Sequence, residues 1–217
     1  DILGRFMHTF TISEMYAKYV PTICATTIPL LLQCNNPLLI RRGCELMSSS
    51  LAFLNIPIDA QLPDYIINDV KLIFSLLTSN NIITRVSAGS TINQFINYTC
   101  LAEFFRPVLI QLYDVLIQTV KVFESDAIVD TMSVLVKNFP VESKPYSYDI
   151  VKGMLELILR VESEFNDMDS DSQLSASLTI GTAVMSVDNI IHMNNQSPES
   201  LSAFYELFIP HIQRWIE

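Results

Sequence analysis

Two stretches of the chain repeat one order of features. IPLLLQCNNPLLIRRGCELMSSSLAFL (28–54) and VKLIFSLLTSNNIITRVSAGSTINQFI (70–96) each pass from an apolar helix end through two asparagines to an arginine, then into a segment rich in small residues. Arg41 and Arg85 are 44 positions apart, and Asp130 takes the equivalent place 45 further on. Within such stretches the apolar residues recur at three- and four-residue steps. Residues 102–123, for example, carry Phe105, Val108, Leu112, Val115, Leu116, Val120 and Phe123 on one face of a helix. The same signal predicts helices over 1–11, 14–34, 37–54, 63–79, 82–99, 102–123, 126–139, 147–162, 172–193 and 198–217. No sustained apolar-polar alternation competes with it, so the chain is expected to be all-α. Pro63, Ser125 and the pair Ser197-Pro198 mark helix starts.

The first helices of successive pairs begin near residues 20, 63, 102, 147 and 198, in steps of 43, 39, 45 and 51. A helix-pair period in this range belongs to HEAT and armadillo arrays, in which each pair buries its apolar side only against its neighbours. The expected fold is an α-α superhelix, a HEAT-repeat solenoid of antiparallel pairs. Residues 1–217 form one array of about five pairs, with the second helices near 1–11, 37–54, 82–99, 126–139 and 172–193 lining one curved face. Residues 37–54 are then a second helix, with arginines at the turn and small residues where it packs closely on its partner.

Composition narrows the partners. Half of the 217 residues are hydrophobic, enough for a sizeable core and too many for a disordered chain. With 23 acidic and 13 basic residues the net charge is −10, which opposes direct binding of nucleic-acid backbones and suits a basic partner. No basic stripe interleaves with aromatics. Cys24, Cys34, Cys44 and Cys100 contain no CxxC pair and read as free thiols of a reducing compartment. The 22 uncharged residues between Lys18 and Arg41 are interrupted by Pro21, Pro29, Gln33, Asn35, Asn36 and Pro37, so a buried helix is expected there and no membrane contact. The opening DILGRFMHTF lacks an initiator Met and a signal region, and IQRWIE closes on a helical pattern; the expectation is a piece of a longer solenoid.

Chemistry has little to work with. His8, His192 and His211 are too dispersed for a local metal motif. Neither GxSxG, HExxH nor a glycine-rich phosphate loop occurs. DMDSDS (167–172) resembles the start of a calcium loop, but Ser172 and Leu178 stand where that loop needs glycine and glutamate. Asp169 and Asp171 lie where nothing excludes water or raises a pKa. No catalytic site, cofactor or metal is expected. What does stand out is ESEFNDMDSD: Glu162, Glu164, Asp167, Asp169 and Asp171 give a charge of −5 over residues 162–171, half that of the whole chain. It is either a solvated loop between two helices or an electrostatic contact for a basic partner. Arg42, Glu45, Arg85, Gln94 and Asp130, on the second helices, are expected to lie along an open surface as further partner contacts.

The segment RVSAGSTINQFINYTCLAEFFRPVLIQLYDVLIQTVKVFESDAIVDTMSVLVKNF (85–139), with its F-x-R-P-V helix, is similar to the middle of importin-β superfamily nuclear transport receptors, most closely the importin-7 and importin-8 branch. ILRVESEFNDMDSDSQLSASLTIGTAVMSVDNII (158–191) resembles the acidic loop and following helix of that branch. Asn35, Asn36, Asn80 and Asn81 depart from the usual aspartate of a HEAT turn, which puts an Asp-to-Arg ladder in doubt. The resemblance implies a non-catalytic carrier that shuttles between cytoplasm and nucleus. It implies basic protein cargo such as ribosomal proteins and histones, contacts with nucleoporins, and release of cargo by the small GTPase Ran in its GTP form. A HEAT scaffold of a phosphatase or trafficking complex, or an all-α enzyme, are the alternatives that the residues alone leave open.

Overall fold

The computed structural model describes residues 13–54, 56–123, 125–194 and 198–216; the helix expected over 1–11 lies outside them. The described residues contain helices and turns and no strand. They divide into two compact units, 1–105 and 106–217.

In the first unit, α1 (Ser13–Thr22) continues through a π-turn at Ile23–Thr27 into α2 (Ile28–Leu32). The cause of the π-turn is local. Pro29 has no N–H to continue the four-residue ladder, and its ring crowds the preceding turn. The Ile28 N–H bonds instead to the Ile23 carbonyl, five residues back. The chain reverses over Gln33–Asn36 and enters α3 (Pro37–Leu54), followed by α4 (Asp64–Leu76) and α5 (Ile82–Ile92). The paired asparagines are helix caps. The Asn36 side-chain oxygen accepts from Leu38 N–H at 3.0 Å, and that of Asn81 from Thr84 N–H at 3.1 Å. Small residues let helices approach, as expected: a Cβ on Gly43 would stand 3.0 Å from the Leu31 Cβ and 3.1 Å from Leu32 Cδ2.

The core of this unit is built from Cys24, Ile28, Leu32, Met47, Ile66, Ile73, Ile92 and Phe95, all of them fully buried. α2 packs on α3 and α4, α3 on α5, and α4 on α5. First helices therefore meet first helices and second helices meet second ones, in two layers.

The second unit repeats this plan with α6 (Leu109–Val122), α7 (Asp126–Asn138), α8 (Ser147–Glu164), α9 (Ser170–Met193) and α10 (Pro198–Ile216). α6 packs on α7 and α8, α7 on α9, α8 on α9 and α10. Gly153 lies against Ile117, and two turns later Arg160 reaches the carbonyl of Val120 at 2.7 Å and that of Lys121. The two first helices α6 and α8 therefore run in the same direction, as successive repeats require. Arg160 also satisfies carbonyls that the end of α6 leaves free. Buried polar contacts fix the remaining joints: Tyr113 Oη to Ser143 Oγ at 2.7 Å, and Asn194 Nδ2 donating to Ser147 Oγ at 3.2 Å.

Two predicted helices are corrected. The single helix expected over 102–123 is a short helix at Ala102–Phe105, a 3-10 turn at Arg106–Val108 and then α6. Pro107 removes a donor and biases Arg106 away from helical backbone, and the division between the units falls at this break. The helix expected over 82–99 stops at Ile92 and gives way to tight turns, Gln94 N–H to Thr91 O at 3.1 Å and Phe95 N–H to Ile92 O at 2.8 Å. These turns still bury Phe95 and Ile96.

Candidate partner-binding surface

The acidic segment is built differently from the loop expected. Glu162 and Glu164 belong to the last turn of α8, Asp167 to a 3-10 turn at Phe165–Asp167, and Asp171 to the first turn of α9. Asp169 is the N-cap of α9. Its Oδ1 accepts the Ser172 N–H at 2.8 Å, and that bond holds its carboxyl below the usual carboxylate range. Gln173 closes the connection from the other side, donating from Nε2 to the Phe165 carbonyl at 3.1 Å. All of these carboxylates are exposed except Glu162, which is half-buried.

Local electrostatics separates four of the five acids into two sets, with Asp167 in the turn between them. Asp169 and Asp171 sit at the start of a helix, where negative charge is stabilising. Glu162 and Glu164 sit at the end of one, where negative charge opposes the helix dipole and no basic residue occupies the last turn. The helix dipole thus favours the first pair and opposes the second.

The other expected contact residues are dispersed. Arg42 and Arg41 are exposed on α3 and both pair with Glu45, Arg41 Nε at 2.8 Å. Partial burial works against the Glu45 carboxylate, but its bonds to the two arginines prevail and hold its pKa below the ordinary value. Arg85, half-buried on α5, has no hydrogen-bond partner at its buried Nε. Gln94 is exposed in the turn after α5, and Asp130 is exposed on α7. No side-chain bond joins Arg41, Arg42 and Glu45 to Arg85 or Gln94.

Buried chemistry was the part that sequence reasoning missed. Asp69 of α4 is fully buried, and neither carboxylate oxygen has a hydrogen-bond partner. Burial pushes its pKa up to about 7. The signal was present: Asp69 falls three residues after Ile66 and four before Ile73, on the core row of its helix. Cys24 and Ser50 are buried in the same unit, and the Ser50 hydroxyl also lacks a partner. The four cysteines are unpaired, and burial raises the Cys44 thiol to about 11, leaving it inert near neutral pH. Among the described residues no group of three His, Cys, Asp or Glu side chains could hold a metal ion. An apolar groove of about 390 Å³ between α9 and α10 is lined by Val184, Val187, Ile191, Leu201, Phe204 and Phe208, with Asp188 at its side.

In each unit helix pairs stack in two layers, and the acidic run forms the junction of α8 and α9. Over 174 residues, 80% of its length, the chain is 26% identical to a probable importin-7 homolog of Dictyostelium discoideum. The chain is similar to an importin. The matched part is 16% of the length of that importin homolog, so the likeness concerns one portion of a much longer protein. No family model matches the chain.

Proposed function

We propose that this chain is a non-catalytic segment of a nuclear transport receptor, one array of helix pairs that contacts basic protein cargo. The observation that carries the reading is the similarity to the importin-7 homolog across 80% of the chain. The two-layer packing of helix pairs in each unit supports it. So does the acidic junction, where Glu162 and Glu164 stand against their own helix dipole. In this reading the receptor moves between cytoplasm and nucleus, engages nucleoporins, and gives up cargo to Ran in its GTP form. The carboxylates of 162–171 supply long-range attraction, Arg42, Glu45, Arg85 and Asp130 supply polar contacts along the second helices, and Gln94 supplies one from the turn after α5.

The test is an import assay in permeabilised cells with the complete protein that contains this segment and a labelled core histone as cargo. Nuclear accumulation that requires the protein, together with release of bound histone by Ran-GTP, is the expected result. Histone that neither binds nor is released by Ran-GTP would overturn the reading.

A further inference from the structure

We propose that the joint between the two helix pairs of the first unit is a proton-controlled hinge, closed while the Asp69 carboxyl carries a proton and opened locally when the proton leaves. The inference concerns motion within one unit and does not rest on the transport reading.

Three elements meet at the joint. Asp69 comes from α4, Cys24 from the π-turn at Ile23–Thr27, and Ser50 from α3. All three side chains are fully buried, and neither the Asp69 oxygens nor the Ser50 hydroxyl have a hydrogen-bond partner. Ser50 and Asp69 both lie close enough to act on the Cys24 thiol, so the three share one neighbourhood. Asp69 belongs to the second helix pair and the other two to the first. The seam between the pairs therefore runs through this cluster.

Nothing at the seam balances a charge on Asp69. The π-turn, α2 and α5 pack on α4. Of their titratable groups the π-turn brings Cys24, α2 brings none and α5 brings the half-buried Arg85; α4 itself adds Tyr65 and the exposed Asp64 and Lys71. Burial raises the pKa of both Cys24 and Tyr65, so both are neutral near pH 7. Burial is also the cause of the upward shift of Asp69, with no contribution from Arg85 or another charged group. A buried carboxylate with neither cation nor donor is costly, and the protonated acid costs far less.

The least anchored part of the seam lies beside this group. Pro29 takes a donor out of the helical ladder, α2 is only 5 residues long, and π-turns recur where helices serve function. Swinging α2 and its turn away from α4 brings water to Asp69 while α3 stays packed on α5. That motion exposes less surface than unfolding the unit, so it is the easier way to hydrate the charge. The carboxyl titrates at about 7 when closed in and at 3.8 when hydrated. Between these values the open form binds fewer protons, so opening grows as pH rises and levels off above about pH 7.

Two buried cysteines can report the motion. Cys24 lies in the seam, whereas Cys44 of α3 bonds to Thr91 of α5 in the other layer. The test is alkylation of the full chain by iodoacetamide, read by peptide mass spectrometry, for the wild type and Asp69→Asn at pH 6 and pH 8. The ratio of the two proteins at one pH cancels the pH dependence of the reagent. For Cys24 that ratio is expected to rise about tenfold from pH 6 to pH 8. In urea below the unfolding transition the Cys24 rate should stay nearly constant, as for an opening that exposes little surface, while the Cys44 rate climbs. Amide exchange over 23–32 should lose protection with pH in the wild type and not in Asp69→Asn. A Cys24 ratio equal at both pH values would overturn the proposal. So would Cys24 and Cys44 rates that climb together in urea, which is unfolding of the whole unit, or protection of 23–32 that is the same in both proteins at both pH values.

Discussion

Gly43 and Leu31 are in such close contact that a methyl group on the glycine would stand 3.0 Å from the leucine Cβ, an atom fixed to its own backbone. The separation of α2 and α3 is therefore set by the absence of a side chain. Gly43→Ala should lower stability by about 1–2 kcal/mol, because the steric cost of overpacking, about 1–3 kcal/mol, exceeds the gain of about 1 kcal/mol in helix propensity. Gly181→Ala, where nothing lies within 4 Å, should instead stabilise by up to about 1 kcal/mol. Urea denaturation of the two variants checks the opposite signs.

Asp69 makes stability depend on pH. Its carboxyl titrates at about 7 in the folded chain against a reference of 3.8, so folding favours the protonated acid. The contribution is fully present below about pH 4, is lost as pH rises, and is gone above about pH 7. Asp69→Asn, neutral at every pH, should match the wild type near pH 4 and exceed it by about 2–4 kcal/mol near pH 8. Denaturation midpoints measured across that range would show a gap that widens with pH. A constant gap would mean that the aspartate is not the group responsible.

Asp169 caps α9 through its bond to Ser172 N–H at 2.8 Å. Asp169→Ala should cost about 1 kcal/mol, whereas Asp169→Asn, which keeps an oxygen in place, should cost a few tenths or less. The same comparison at Asn81, which accepts from Thr84 at 3.1 Å, should give a similar loss with alanine and little change with aspartate. Thermal melts of the four variants test both caps.

The helical class and the pairing were legible because rows such as Leu112, Leu116 and Val120 or Ile150, Met154 and Val161 keep their helical spacing on a buried face. The repeated asparagines were visible as a recurrence, and their physical role, capping α3 and α5, required the backbone. Pro107 is hidden in the pattern because the apolar spacing continues on both sides of it, and spacing does not register a missing N–H. The acidic run was legible as charge but not as geometry. Its composition resembles a loop, yet Asp169 and Asp171 start one helix and Glu162 and Glu164 end another.

The transport reading rests most directly on whether the acidic junction draws in a basic protein. Stopped-flow association of the chain with a core histone, wild type against Asp167→Asn, Asp169→Asn, Asp171→Asn together, is the decisive measurement across a salt series. Screening shortens the range of attraction from about 10 Å at 0.1 M salt to about 3 Å at 1 M. The triple variant keeps an asparagine cap at 169 but loses two charges that favour the start of α9, so its helix content should be unchanged and its melting point slightly lower. Its association rate should fall and its salt dependence flatten; identical rates and identical salt slopes for the two proteins would contradict the account.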